Sequence, residues 1–219
     1  MITLAIEAST YAGSVAVVRD GAVLEEATVA MRGEREERLM PAVADALTSC
    51  GIAPNAIDRV VCGAGPGSFT SLRIAGAIAK GLALAAGAPL YPVSSLMLVV
   101  AGAQPPLTPG RYVVATDAMR GDVFAEAFTV TAGSISTDSP TMLVAKTDLD
   151  GFAREHSARL VGPDEAIAVA PHARGAAALG SLVAWPVPAD LASWEPNYGR
   201  LAEAQVRWEA AHGRALTPR

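Results

Sequence analysis

Cysteine, histidine and excess positive charge are all scarce in this chain of 219 residues. Cys50 and Cys62 are the only cysteines, too few for a disulfide framework and not spaced as a metal knuckle, which favours a reducing compartment. The three histidines, His156, His172 and His212, stand too far apart for one helix to offer two of them to a metal, and they read as solvated side chains. With 17 basic against 22 acidic side chains and a net charge of −5, the chain lacks the charge of a stand-alone nucleic-acid binder. Any nucleic acid must be reached through a partner or a local basic patch.

Charge is also absent from the whole of 81–110. Pro89 and Pro92 split this stretch, Ser94 and Ser95 follow, and Pro105, Pro106 and Pro109 close it, so its apolar blocks fall short of the roughly 20 residues a bilayer requires. It reads as buried core of a soluble protein. The start of the chain offers no basic region before its short apolar run, which Glu7 interrupts, so no signal peptide is expected and the cytoplasm is the default location.

What is present is a large apolar fraction, 51%, beside only 18% charged residues, which excludes a disordered or fibrous chain. The length suits one large domain or two small ones. Period-2 patterning over 2–8, 14–19 and 23–29, with an Asp20-Gly21 turn, predicts three antiparallel strands. Leu39, Val43, Ala46, Leu47 and Cys50 mark one stripe of a helix over 37–50. A strand over 59–62, a glycine-rich turn over 63–68, a helix over 71–86 and a strand over 90–93 form a βαβ unit. The first hundred residues therefore read as an α/β lobe with a mixed sheet. Gln104-Pro-Pro-Leu-Thr-Pro-Gly110 is the best linker, and a second hairpin, 111–116 with 122–130, follows it. The stretch to Pro188 is weakly patterned, and Leu201, Ala204, Trp208 and Ala211 predict a closing helix.

Four groups could carry chemistry. The loop from Gly63 to Ser68, between a strand and a helix, either holds an anion on its backbone amides or simply permits a tight turn and close helix packing. It lacks the lysine of a P-loop, and Ser68 stands where a dinucleotide motif has its third glycine. Ser68 has no nucleophile-elbow pattern around it and reads as a capping or turn serine. Glu7 and Asp117 each end the first strand of a lobe, where acids either face a metal nucleotide or cap turns. Arg120, at the tip of the second hairpin, clamps an anion or is merely solvated. The 71–86 helix is apolar on more than one side, with Ala75, Ala79 and Ala83 in a row, so more than a sheet face must cover it.

Leu4-Ala-Ile-Glu-Ala-Ser-Thr, Arg38-Leu-Met-Pro, Gly65-Pro-Gly-Ser-Phe-Thr-Ser-Leu-Arg-Ile, Asp117-Ala-Met-Arg-Gly-Asp-Val-Phe and Pro196-Asn-Tyr-Gly-Arg together closely resemble the TsaB (YeaZ) family. The resemblance covers most of the chain, although 146–188 matches nothing in it. It implies an α/β, two-lobed actin-like or Hsp70-like ATPase (ASKHA) fold with mixed sheets and helices packed on them. The lobes would be 1–104 and a smaller 105–195, with 196–219 as a C-terminal helix packing back on the body. It also implies a role in making threonylcarbamoyladenosine next to the tRNA anticodon, as the non-catalytic partner of TsaD, with TsaE joining them. No catalytic residue, metal or cofactor of its own is implied; ATP or ADP is allowed in the complex, as is a homodimer when the chain is alone. Contact with tRNA would come only through the complex, with no role for a membrane. The helix beginning near Glu34 has no histidine, so the His-x-x-x-His pair that marks TsaD is missing. On this reading Leu39, Met40, Val43, Ala75 and Ala79 are the expected partner contacts. Two other readings stand beside it: an active ASKHA-type ATPase or small-molecule kinase using Glu7, the Gly65 loop and Asp117, and a serine or metal peptidase, which the absent dyad and metal pair oppose.

Overall fold

A computed structural model describes residues 1–33, 36–200 and 211–213. The chain opens with β1 (Ile2–Glu7), β2 (Ala12–Arg19) and β3 (Ala22–Ala30), antiparallel in that order. Asp20 and Gly21 join β2 to β3 with φ values of 51° and 84°, the paired left-handed geometry that an Asp-Gly hairpin adopts. Helix α1 (Leu39–Ser49) follows. It begins at Leu39, the first residue of the apolar stripe and two residues later than the expected span, because the Glu37 carboxylate accepts the backbone N–H groups of Leu39 and Met40 and so sits ahead of the first turn.

Next come β4 (Arg59–Gly63), α2 (Phe69–Ala86) and β5 (Leu90–Val93), with β4 parallel to both β1 and β5. The sheet order is β3-β2-β1-β4-β5. Helix α2 starts two residues earlier than expected, directly after Ser68, and closes on Gly87 at φ 63°. It is long and apolar enough to cross a membrane by length and composition alone, yet Ala75, Ala79 and Ala83 are buried against the sheet. Helix α3 (Ser95–Ala101), within the uncharged stretch, is capped by Ser94, whose hydroxyl accepts the Met97 N–H at 3.4 Å.

The second sheet contains β6 (Gly110–Asp117), β7 (Asp122–Val130), β8 (Ile135–Thr137), β9 (Met142–Ala145), β10 (Arg159–Gly162) and β11 (Ile167–Ala168). Its order is β11-β10-β6-β7-β8, with β9 also on β7, and helix α4 (Leu149–Glu155) lies between β9 and β10. The weakly patterned stretch thus holds four short strands, one short α-helix and two 3-10 turns, each too brief to show a period. The closing helix expected over 201–211 falls almost wholly outside the described residues.

Both faces of the central strands are buried, and alternation assigns each residue to one side. Leu4, Ile6, Val15, Val17, Val60 and Cys62 face α1 and α2. Ala5, Ala16, Val18 and Val61 face a second core, which contains Leu96 and Val99 of α3 and Tyr112, Val114 and Phe128 of the second sheet. On the far side of that sheet, Val113, Ala115 and Ala125 meet Leu149 and Ala153 of α4. The layers therefore run helix, sheet, helix, sheet, helix. The middle core draws on both halves of the chain, each fully buried leucine or valine in it contributing roughly 1.5–3 kcal/mol.

Candidate functional site

The carboxyl ends of β1 and β4 border the place where open α/β sheets usually form a ligand crevice. Here the crevice is occupied by the chain itself. Glu7 is fully buried; its Oε1 accepts the Ser9 N–H at 2.5 Å and its Oε2 accepts the Ser95 hydroxyl at 2.8 Å. Burial pushes its carboxyl above the usual range, more strongly than the Ser9 and Ser95 hydrogen bonds pull it down. Gly63 makes room for it, since a Cβ there would lie 1.6 Å from Oε2. Burial, followed by the proximity of Glu7, pushes the Cys62 thiol up as well, so this cysteine is a core residue and not a nucleophile.

The amides of the glycine-rich loop are already in use. Ala64 N–H donates to Val93 O at 2.7 Å, Gly65 N–H to Ser95 Oγ at 3.1 Å and Ser68 N–H to Ser9 O at 2.7 Å. Asn197 then lies across the loop: its N–H donates to Ala64 O at 2.7 Å, and its carbonyl oxygen stands 2.0 Å from where a Cβ on Gly65 would be. These three amides are committed to the chain itself, which is the geometry of the tight-turn reading. Ser68 occupies the cap position of α2, but its hydroxyl meets that of Ser71 at 3.0 Å and makes no side-chain cap. Among the described residues the Thr116 hydroxyl is buried without a hydrogen-bond partner.

Asp117 differs from Glu7 in being exposed, with Oδ1 accepting the Met119 N–H at 3.0 Å, so it caps its own turn. Met119 and Arg120 sit there at φ 63° and 60°. Among the described residues no group of three or more histidine, cysteine, aspartate or glutamate side chains could hold a metal. His172, expected to be solvated, is half-buried: Nδ1 accepts the Arg174 backbone N–H at 3.1 Å, while Arg174 pairs with Glu26 at 2.9 Å. Burial and then the Arg174 charge lower its pKa to about 4. The segment 194–200 escaped the sequence reading as a crevice element, although its Pro-Asn-Tyr-Gly-Arg motif was visible. Ser95 was equally visible, as the second of two serines after a strand.

The expected partner contacts separate. Leu39, Val43, Ala75 and Ala79 are each 0% exposed and belong to the core against the first sheet, so they cannot touch a partner while the fold is intact. The apolar stripe was read correctly, but it covers the sheet. Met40, at 42% exposure, does face outward, beside Ala44 on α1. On α2 the outward face is Ala77, Gly81, Leu84 and Ala85, with Leu84 75% exposed. A Cβ on Gly81 would meet nothing within 4 Å.

Two mixed sheets with a helical layer between them and helices on their outer sides make the α/β fold of the actin-like, ASKHA class. A family model described as "TsaD: tRNA N6-adenosine threonylcarbamoyltransferase" matches residues 29–161, more than half of the chain. A Bacillus subtilis relative, "tRNA threonylcarbamoyladenosine biosynthesis protein TsaB", is 28% identical over 95% of this chain and 98% of its own length. The Escherichia coli protein of the same name is 41% identical, over 57% of this chain and 53% of its own; the chain thus spans about half the length of this relative. Among solved structures, "YeaZ from Pseudomonas aeruginosa" superposes with a TM-score of 0.70 at 24% identity, over 90% of this chain and 99% of that one. A second, described as an uncharacterized Pseudomonas aeruginosa protein with similarity to peptidase YEAZ, gives 0.73 at 24%, over 91% and 99%. The chain belongs to the TsaB (YeaZ) family.

Proposed function

We propose that this chain is the non-catalytic partner subunit of the machinery that makes threonylcarbamoyladenosine in tRNA, binding and activating TsaD. Its relatives' names supply the pathway. The observation that carries the division of labour is that the crevice is closed by Glu7, Ser95 and Asn197 while the outer faces of α1 and α2 are open. Met40, Ala44, Ala77, Gly81 and Leu84 replace the buried residues as the expected partner contacts. Small residues along α2 let another helix approach closely, and a specific interface of about 1,000 Å² fits such a face. TsaE joins the pair, a homodimer is the alternative when the chain is alone, and the complex allows ATP or ADP. The setting is the cytoplasm.

Purified chain incubated with threonylcarbamoyl-adenylate and tRNA should yield no modified tRNA alone, and should raise the yield when TsaD is added. Modified tRNA from the chain alone overturns the reading. So does a TsaD that works equally well without it.

A further inference from the structure

With the crevice floor closed, what stays accessible at its mouth is a rim of paired arginines and aromatic rings. Tyr11, 44% exposed, carries the Arg32 guanidinium 4.9 Å above its ring centre. Phe69, 37% exposed, carries that of Arg73 at 5.3 Å and meets the Tyr198 ring at 4.4 Å. These two groups are continuous. Arg200, two residues after Tyr198, donates to Met119 O at 3.4 Å, and the Tyr11 hydroxyl touches Met119 Sδ at 3.9 Å. Arg200 is paired with Asp122 at 3.2 Å, whereas Arg32 and Arg73 lie over aromatic rings. Glu195 is the acid whose charge reaches Tyr198.

An arginine held over a ring keeps its full charge, so it can still attract an anion from solvent. A ring so placed still offers an exposed face or edge on which a base can stack. Alternating flat rings and fixed cations across an open rim suit a chain of bases linked by phosphates. They do not suit a mononucleotide, which would need the loop amides that Val93, Ser95 and Ser9 already hold.

We infer that the rim of Tyr11, Arg32, Phe69, Arg73 and Tyr198 is a contact surface for single-stranded RNA. The choice of RNA over other polyanions rests on the tRNA-modification reading. The surface is small, so this chain adds affinity and position to RNA held mainly by its partner. A net charge of −5 keeps the isolated chain a weak binder.

The test uses the full chain, a fluorescein-labelled oligouridine and a labelled duplex RNA of equal length, at low salt, read by anisotropy. Oligouridine should bind better than duplex. Two phosphate contacts give a log–log salt slope of about −1.4, which Arg32→Ala should reduce by about 0.7. Tyr11→Ala and Phe69→Ala should each weaken binding about fivefold or more, the lower end of one lost stack, with unchanged melting temperature. Ultraviolet cross-links should fall on Tyr11, Phe69 or Tyr198. No measurable binding by the parent chain, variants that bind like the parent, or rim variants that alter only association with TsaD would each overturn the inference. Failure to associate with TsaD, with rim-dependent RNA binding intact, would instead overturn the partner reading and leave this one standing.

Discussion

The crevice at the strand ends and the outer face of the two helices lie in the same half of the chain, and their chemistry is opposite. In the crevice a buried carboxyl, a serine hydroxyl, three loop amides and a returning backbone segment satisfy one another. On the helices, Met40 and Leu84 stand in solvent beside alanines and Gly81, and no part of the described chain covers them. At the strand ends polar groups are satisfied within the chain, whereas on the two helices apolar surface is left uncovered among the described residues.

The comparison breaks most visibly within α2 itself, where residues two apart lie on opposite sides. Ala79→Glu places an unpaired carboxylate in the core and should cost about 4 kcal/mol, lowering the melting temperature by roughly 10 °C. Next is Glu7→Gln. A carboxyl whose folded pKa is raised contributes stability that is fully present below its ordinary value and is lost as pH rises through the folded value. The variant should therefore gain on the parent in urea midpoint as pH increases from acid to neutral, and converge with it in acid. His172 titrates with the opposite sign: its folded value of about 4 lies below the ordinary imidazole value of 6.5, so its contribution is present above 6.5 and lost as pH falls toward 4. His172→Gln should flatten that acid limb, by less than Glu7→Gln changes the neutral one because the imidazole is only half-buried. Gly81→Ala, in an open helix interior, should stabilise by up to about 1 kcal/mol in thermal unfolding. Smallest is Ala77→Glu, which should leave the melting temperature within about 0.5 kcal/mol of the parent.

Much of the first half was legible because its signals are long or chemically sharp. The period-2 strands, the Asp20-Gly21 turn and the strand-helix-strand unit all appear where patterning put them. The second hairpin also appears where expected, but the rest of the second half was not legible, because β8, β9, β10 and β11 run only two to four residues and gain their stability from neighbours distant in sequence. The site was legible in its residue types but not in its sides. Glu7, Gly65, Asp117 and the two helices were all singled out, yet spacing alone could not tell that Gly63 opens a space for the Glu7 carboxyl or that Asn197 returns to seal the loop. An apolar stripe likewise does not say whether sheet or partner covers it: Leu39, Val43, Ala75 and Ala79 face the sheet, and the smaller, less apolar rows beside them face out.

The central claim is that the open helical face binds TsaD while the closed crevice does no chemistry, and Ala77→Glu tests it most directly. Gel filtration of parent and variant with purified TsaD, beside a melting curve of each, should show the parent co-eluting with TsaD. The variant should melt as the parent does but elute apart from TsaD, because an unpaired carboxylate at the centre of a close helix contact is not tolerated. Co-elution of the folded variant with TsaD to the same extent as the parent, or no co-elution of the parent at all, would contradict the account.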